Sequence, residues 1–319
     1  MPALPAGAAV GDLDTSYGGG DGIVDLEALG LANGHIYAFG AIQADDKVIL
    51  SRFSNHSVGF GYDLVVARLN TDGSVDTSFG NSGLATVEAG SDIRLMPVGN
   101  PIVQPDGKIV VLARRQNPTG SWMDVAVVRL GTDGSVDTSF FFNDTATTEI
   151  YTRDYPAAVT IQADGKIVVL SGDLSSKYVI LRYNSDGSLD TGFGGGDGIV
   201  ETASPAGAPS DLRQPYAIAV KSDGKIVAVG DSYGEGVIVV YNTDGTLDTN
   251  FDSDGIVYTN WSYGGGDVHQ LKDVAIQADG KIVAVGYGGS LGSWQAVVRY
   301  NVDGTRDTSF NPEPDCLTP

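Results

Sequence analysis

The chain is poor in the residues that usually build metal and redox chemistry: one cysteine, Cys316, and three histidines among 319 residues. A single cysteine excludes an intramolecular disulfide and any cysteine-built zinc site. The histidines (His35, His56 and His269) neither recur nor form HExxH. Cations are scarce too, with 19 Lys and Arg against 40 Asp and Glu, a net charge of -21 and a pI near 4.2. Without a basic stripe to neutralise phosphates, nucleic acid is not expected as a partner. An anionic membrane surface is disfavoured for the same reason. No apolar run approaches the ~18 residues that span a bilayer, so no membrane insertion is expected. There is no GxSxG and no P-loop, because the GGGDG runs lead into strand-like segments rather than helices. No cofactor is expected. The opening MPALPAGAAV lacks the basic and long apolar regions of a signal peptide.

What is present is glycine, 44 residues of it, and a repeat. DGSVDTSFG at Asp72–Gly80 recurs from Asp133, Asp186, Asp244 and Asp303, and a truncated copy, GDLDTSYGG, starts at Gly11. The aromatic residues of these copies are Tyr17, Phe79, Phe140, Phe193, Phe251 and Phe310, spaced 62, 61, 53, 58 and 59 apart. A second element lies between them: QADDKVIL from Gln43, then DGKIV-type copies from Gln104, Gln162, Lys221 and Gln277.

Each repeat reads as four short strands. An apolar segment precedes DGK, a β-branched run such as KIVAVG follows it, a third run is DLVVARLN, DVAVVRLG, YVILRYN, VIVVYN or QAVVRYN, and a fourth begins GIV, as at Gly22, Gly198 and Gly255. Val- and Ile-rich runs of four to eight residues bounded by Gly, Asp and Asn are strand signals, and no segment sustains a helical period. The Asp-Gly pairs suit turns that need positive φ. Four-stranded units repeated every ~40–60 residues predict an all-β, five-bladed β-propeller of antiparallel blades. The expected domain is a single one over residues 11–311, with tails at 1–10 and 312–319. The phase of the repeat predicts that residues 22–28 complete the blade formed by 271–302, closing the ring and removing two sheet edges.

DGKIVxxG followed by VxRYNxDGSLDTSFG resembles the delta-sixty repeat of large bacterial surface and secreted proteins, and the likeness runs from Gly11 to Asn311. That resemblance implies a propeller at the cell surface or outside the cell. It brings no catalytic residues with it. The expectation is a monomeric domain of a larger protein, the chain being a fragment of a longer gene.

One segment breaks the pattern. After Phe140 the expected GxxG-IV strand is replaced by Phe141–Thr152. FFFNDTATTEIYT looks like translated sequencing-adapter read-through. The alternative is a divergent fourth strand, for which TATTEIYT has adequate β propensity.

The recurring Asp of DTSF (Asp76, Asp137, Asp190, Asp248, Asp307) sits on an oxygen-rich turn but lacks the order of a calcium loop. It is expected to bond nearby backbone amides while the aromatic residue plugs a gap between blades. Arg68, Arg129, Arg182 and Arg299 recur on the third strand, with Val240 the exception, and are read as structural Arg–Asp partners. The lysines after the turn (Lys47, Lys108, Lys166, Lys225, Lys281) are read as solvated strand starts. No metal site is expected.

Topology directs attention to the other loops. Connections between second and third strands, and between repeats, vary freely, and all three tryptophans fall in or beside them. Recognition is usually built on variable loops over a rigid scaffold. The candidate ligand-binding residues are Trp122, Trp261, Tyr263, His269, Tyr287 and Trp294. For Trp122 and Trp294 the alternative is that they cap blade packing. The function this favours is a non-catalytic recognition or structural module that engages a glycan or a protein. The rival is a propeller glycoside hydrolase or polysaccharide lyase using acids near first-strand starts, among Asp92, Asp154, Asp211, Asp267 and Asp273.

Overall fold

The structure is a computed structural model, and it describes residues 13–31, 39–57, 59–90, 92–116, 123–140, 146–148, 154–173, 176–205, 212–232, 235–259, 270–288 and 294–310. Among these residues there is no helix, and all regular structure is antiparallel sheet apart from one parallel pairing. The chain divides into two compact units, 1–148 and 149–319.

In the first unit, β1 (Phe39–Ile42), β2 (Val48–Asn55), β3 (Tyr62–Leu69) and β4 (Leu84–Val87) pair in sequence order. The next repeat supplies β5 (Arg94–Pro97), β6 (Ile102–Val103), β7 (Ile109–Gln116), β8 (Met123–Leu130) and β9 (Ala146–Thr148). Both β5 and β6 pair with β7, so they are one first strand interrupted by Val98–Pro101. A proline at each edge of the gap, Pro97 and Pro101, fits that break, since proline cannot donate to a ladder. The two sheets touch edge to edge through the parallel pair Tyr62 and Arg94. Ala146–Thr148 pairs with β8 and so takes the fourth-strand place of the divergent segment.

The second unit holds three repeats. The first is β10 (Asp154–Ile161), β11 (Ile167–Asp173), β12 (Tyr178–Tyr183) and β13 (Ile199–Thr202). The second is β14 (Leu212–Val220), β15 (Ile226–Ser232), β16 (Glu235–Tyr241) and β17 (Ile256–Thr259). The third is β18 (Gln270–Ile276), β19 (Ile282–Gly288) and β20 (Trp294–Tyr300). Second and third strands such as β12, β15 and β16 are buried on both faces, which is why they read as continuous Val/Ile runs rather than alternating ones. Buried clusters fill the space between successive sheets: Ile49, Leu64 and Val66 against Ile109, Val111 and Ala113 in the first unit, and Val229 and Ile238 against Leu271 and Ala284 in the second.

The DGK turns place glycine at positive φ, as at Gly165 (84°) and Gly224 (84°). The one copy without that glycine, QADDK, puts Asp46 there at φ 63°. Aspartate tolerates the left-handed region better than most side chains.

Residues 22–28 form no strand. Val24 and Leu26 instead pack beside Leu31, Ala67 and Leu69, covering a face of the first sheet. The fourth place of the β18–β20 sheet, which the repeat phase assigned to 22–28, holds no strand among the described residues. The apolar side chains of 22–28 find their partners on β3, about forty residues further along the chain, a contact that strand phase alone does not reveal.

Candidate functional site

The recurring residues converge on one structural node. In the first repeat, Asp76 Oδ2 accepts from Lys47 Nζ at 2.9 Å and Arg68 Nε at 2.7 Å, while Oδ1 accepts from the Ser78 amide at 3.1 Å. Asp137 is held by Lys108 and Arg129, Asp190 by Lys166 and Arg182, and Asp307 by Lys281 and Arg299, all at 2.7–2.9 Å. Asp248 keeps Lys225 at 2.6 Å, and Val240 replaces the arginine. Each of the four guanidinium carbons lies 4.3–4.5 Å from the centroid of its DTSF-type phenylalanine. Burial pushes the Asp190 carboxyl up, but Lys166, the Gly192 amide and Arg182 outweigh it and hold the group down at about 2. The lysines are therefore not merely solvated strand starts; each closes an ion pair. With protein donors on both oxygens of Asp76, the turn is occupied as a strut rather than open as a calcium loop. Among the described residues, no group of three or more His, Cys, Asp or Glu is arranged to hold a metal.

The node also joins neighbouring repeats. Arg68 Nη1 donates to the Thr132 carbonyl at 2.6 Å, Arg182 Nη1 donates to that of Thr243, and the Gly80 amide donates to Asp133 O at 2.7 Å. A Cβ on Gly134 would stand 3.0 Å from the Phe79 ring, and one on Gly245 2.9 Å from that of Phe193. The aromatic plug expected between blades is thus seated on the Asp-Gly turn of the next repeat.

With these residues accounted for, one cluster of chemically capable side chains stands out in the second unit. It lies where β14 and β18 begin and β15 and β19 end, opposite the node. Lys272 Nζ sits 3.2 Å from the Tyr216 ring centroid and 5.1 Å from that of Tyr287. The Tyr216 hydroxyl is 3.3 Å from both Gln214 Oε1 and Gln270 Oε1, and its one proton serves one of them at a time. Asp231, 1% exposed, accepts the Gln214 amide at 3.1 Å. The Tyr178 hydroxyl donates to the Asp231 carbonyl at 3.2 Å and fixes the backbone there.

Burial raises the Asp231 carboxyl above its ordinary value, against the pull of the Gln214 amide, Arg213 and Lys272. Burial also lowers the Lys272 ammonium and, with the Asp231 charge, raises the Tyr216 phenol. Desolvation acting on an acid, a base and a phenol in one place is a mark of functional sites. Two aromatic rings beside amide, carboxyl and ammonium groups form a surface that can stack one face of a polar ligand and hydrogen-bond its edge.

Of the residues expected from sequence, Tyr287 belongs to this cluster. Trp294 opens β20, and its backbone pairs with Gly288 beside Tyr287. Trp122, Trp261, Tyr263 and His269 lie outside the described residues. Among the acids, Asp273 is exposed and accepts the Val274 amide at 2.8 Å, Asp154 is buried, and Asp92 is exposed. Asp211 and Asp267 lie outside the described residues. Sequence reasoning missed Tyr216, Asp231 and Lys272. Their signal was a departure from the repeat: Tyr216 and Lys272 occupy the position of Ala157, and Asp231 and Tyr287 that of Gly172.

The profile of one family, described as a domain of unknown function (DUF5122) beta-propeller, matches at 43–79, 104–140, 162–193, 221–251 and 277–310. The five matches cover more than half of the chain, which belongs to that beta-propeller family. No curated protein matches it. Among solved structures, a protein from Lactobacillus plantarum aligns over 86% of this chain and 70% of its own, at 12% identity and a TM-score of 0.53. That likeness is one of fold. Virginiamycin B lyase from Staphylococcus aureus aligns over 85% and 82% at 13% identity and TM-score 0.40, and the polysaccharide lyase Uly1 over 82% and 57% at 12% and 0.47. The all-β fold of repeated four-stranded antiparallel blades is that of a β-propeller.

Proposed function

We propose that this propeller is a non-catalytic recognition module that binds a saccharide at the Tyr216–Lys272–Tyr287 cluster. The observation that carries the reading is the Lys272 ammonium set against two tyrosine rings, beside the buried Asp231 and two glutamines. A sugar offers an apolar ring face and a rim of hydroxyls, and this surface complements both. The repeat's likeness to delta-sixty sequences supports a place outside the cell or on its surface, as a monomeric domain of a larger protein.

A glycan array on the purified protein, followed by calorimetric titration of the best ligand, tests the proposal. Tyr287→Ala and Lys272→Ala should each weaken binding at least tenfold, about 1.4 kcal/mol. Absence of any saccharide binding would overturn the proposal. So would hydrolysis or elimination of a bound polysaccharide that Asp273→Asn abolishes, which would favour an enzyme using the first-strand acids.

A further inference from the structure

We infer that the first unit carries a separate site for a carboxylate-bearing saccharide, at the corner where the β2–β3 loop meets the start of β5. Phe60, at the tip of that loop, is 83% exposed. Most of the ring is left in water, where a ligand can meet it. The loop that presents it is braced rather than loose. The His56 amide donates to Gly61 O at 3.0 Å, and His56 Nδ1 lies 2.8 and 2.9 Å from the two oxygens of the buried Asp63. Arg94 pins the tip from the neighbouring repeat: its Nε donates to Phe60 O at 3.4 Å, and its guanidinium lies 5.1 Å from the Tyr62 ring. Tyr62 in turn packs on Phe53 with centroids 5.0 Å apart.

The charge at this corner selects the ligand. Arg94 Nη1 donates to Gln116 Oε1 at 3.2 Å, so these bonds use two of its five N–H groups. Arg114, two residues before Gln116 on the same face of β7, adds a second positive charge diagonally across from Arg94. A guanidinium with N–H groups to spare has a carboxylate as its natural complement. Two arginines so placed, in a chain with 40 acidic against 19 basic residues, ask for an anion. The exposed Phe60 ring beside them asks for a flat, partly apolar body. A uronic acid unit supplies both. This site shares no residue with the cluster of the second unit, so either can fail without the other.

The test is calorimetric titration with a galacturonic acid hexamer, a neutral galactose hexamer and polyglutamate. The acidic sugar should bind at least tenfold more tightly than the neutral one. Arg94→Ala should remove at least tenfold of that affinity, Arg94→Lys should restore part of it, and Phe60→Ala should cost about fivefold or more. Tyr287→Ala should leave it unchanged. Should Arg94→Ala fail to fold, the exposed Phe60→Ala carries the test alone. Equal affinity for the two hexamers, no binding of either, indifference to these substitutions, or equally tight binding of polyglutamate would each overturn the inference.

Discussion

The Asp190 node allows a quantitative test of what holds a blade together. Asp190→Asn preserves size and the oxygen that accepts the Gly192 amide, but removes the charge shared by Lys166 and Arg182. Arg182 is 7% exposed at its side chain, so its guanidinium is left in a poorly solvated place without a counterion. Breaking a buried pair from one side costs about 3–5 kcal/mol, and the partly exposed Lys166 puts this case near the lower end, about 3 kcal/mol. At roughly 2–4 °C per kcal/mol for a unit of this size, the melting point should fall by about 6–12 °C. Arg182→Val copies what the next repeat has at Val240 and leaves Asp190 with Lys166, as Asp248 is left with Lys225. It forfeits the ring contact and the bonds to Asp190 and to the Thr243 carbonyl, and should cost about 2 kcal/mol. Acid supplies a second readout. The Asp190 carboxyl is held below its unfolded value, so its contribution is full above about pH 4 and is lost as pH falls through about 2. A shift from 3.8 to about 2 corresponds to at most ~2.4 kcal/mol, and solvent screening reduces that to about 1 kcal/mol. The gap between the parent and Asp190→Asn should therefore narrow between pH 4 and 2 in urea denaturation followed by circular dichroism. Arg182→Val proving the more damaging change, or a gap that widens in acid, would refute the reasoning.

Other substitutions probe the turns and the N-terminal segment. Gly245→Ala, at φ +93° with a new Cβ 2.6 Å from Val200 Cγ2, should cost more than about 2 kcal/mol, whereas Gly195→Ala, strained but facing open space, should cost about 1 kcal/mol by urea midpoint. Asp46→Gly should raise the midpoint by about 0.5 kcal/mol, because it relieves φ 63° at a turn where the other repeats have glycine; a lower midpoint would count against this. Leu31→Ala, at a position 2% exposed against Ala67 and Leu69, should destabilise the first unit by about 2–3 kcal/mol, and a neutral result would show that the N-terminal segment is not docked there. Resequencing the locus should replace Phe141–Thr152 with a GxxG-IV strand, and independent reads that reproduce the segment would end the read-through interpretation.

The sheets were legible because the repeat states each strand several times over: KIVVL leads into β7 and β11, and KIVAV into β15 and β19. The Arg68–Asp76 bond was legible for the same reason, lying eight residues apart across one turn. Lys47 was misread because its partner is 29 residues away, on the far side of two strands, and only pairing of β2 with β3 brings it to Asp76. The split first strand of β5 and β6 followed from the local sequence Val98–Pro101, one residue longer than the matching stretch of β10 or β14, which the repeat average conceals. Tyr216, Asp231 and Lys272 were not legible because they lie within strands, outside the variable loops that hold the tryptophans. These side chains occupy two positions of the repeat, one on the first strand and one near the end of the second, where a substitution changes no pattern of hydrophobicity.

Val240 has a further consequence. Where other repeats reach across to the following turn through an arginine, as Arg68 does to Thr132 and Arg182 to Thr243, the fourth repeat has Val240 and meets the fifth through the Asp252 amide on Asp303 O at 2.9 Å and the Thr259–Tyr300 hydroxyl pair at 2.6 Å. In a modular array, cooperativity is carried by such nearest-neighbour couplings, and the weakest one sets where the array parts. The seam between the sheets of β14–β17 and β18–β20 lacks the arginine strut that the preceding seam has in Arg182. Tyr216 stands on one bank of it and Lys272 and Tyr287 on the other. A ligand gripping all three would act as a suture across the seam, raising the opening free energy of the fifth repeat by its own binding free energy. Recognition and mechanical continuity would then be one event, and amide exchange in β18–β20 would report occupancy.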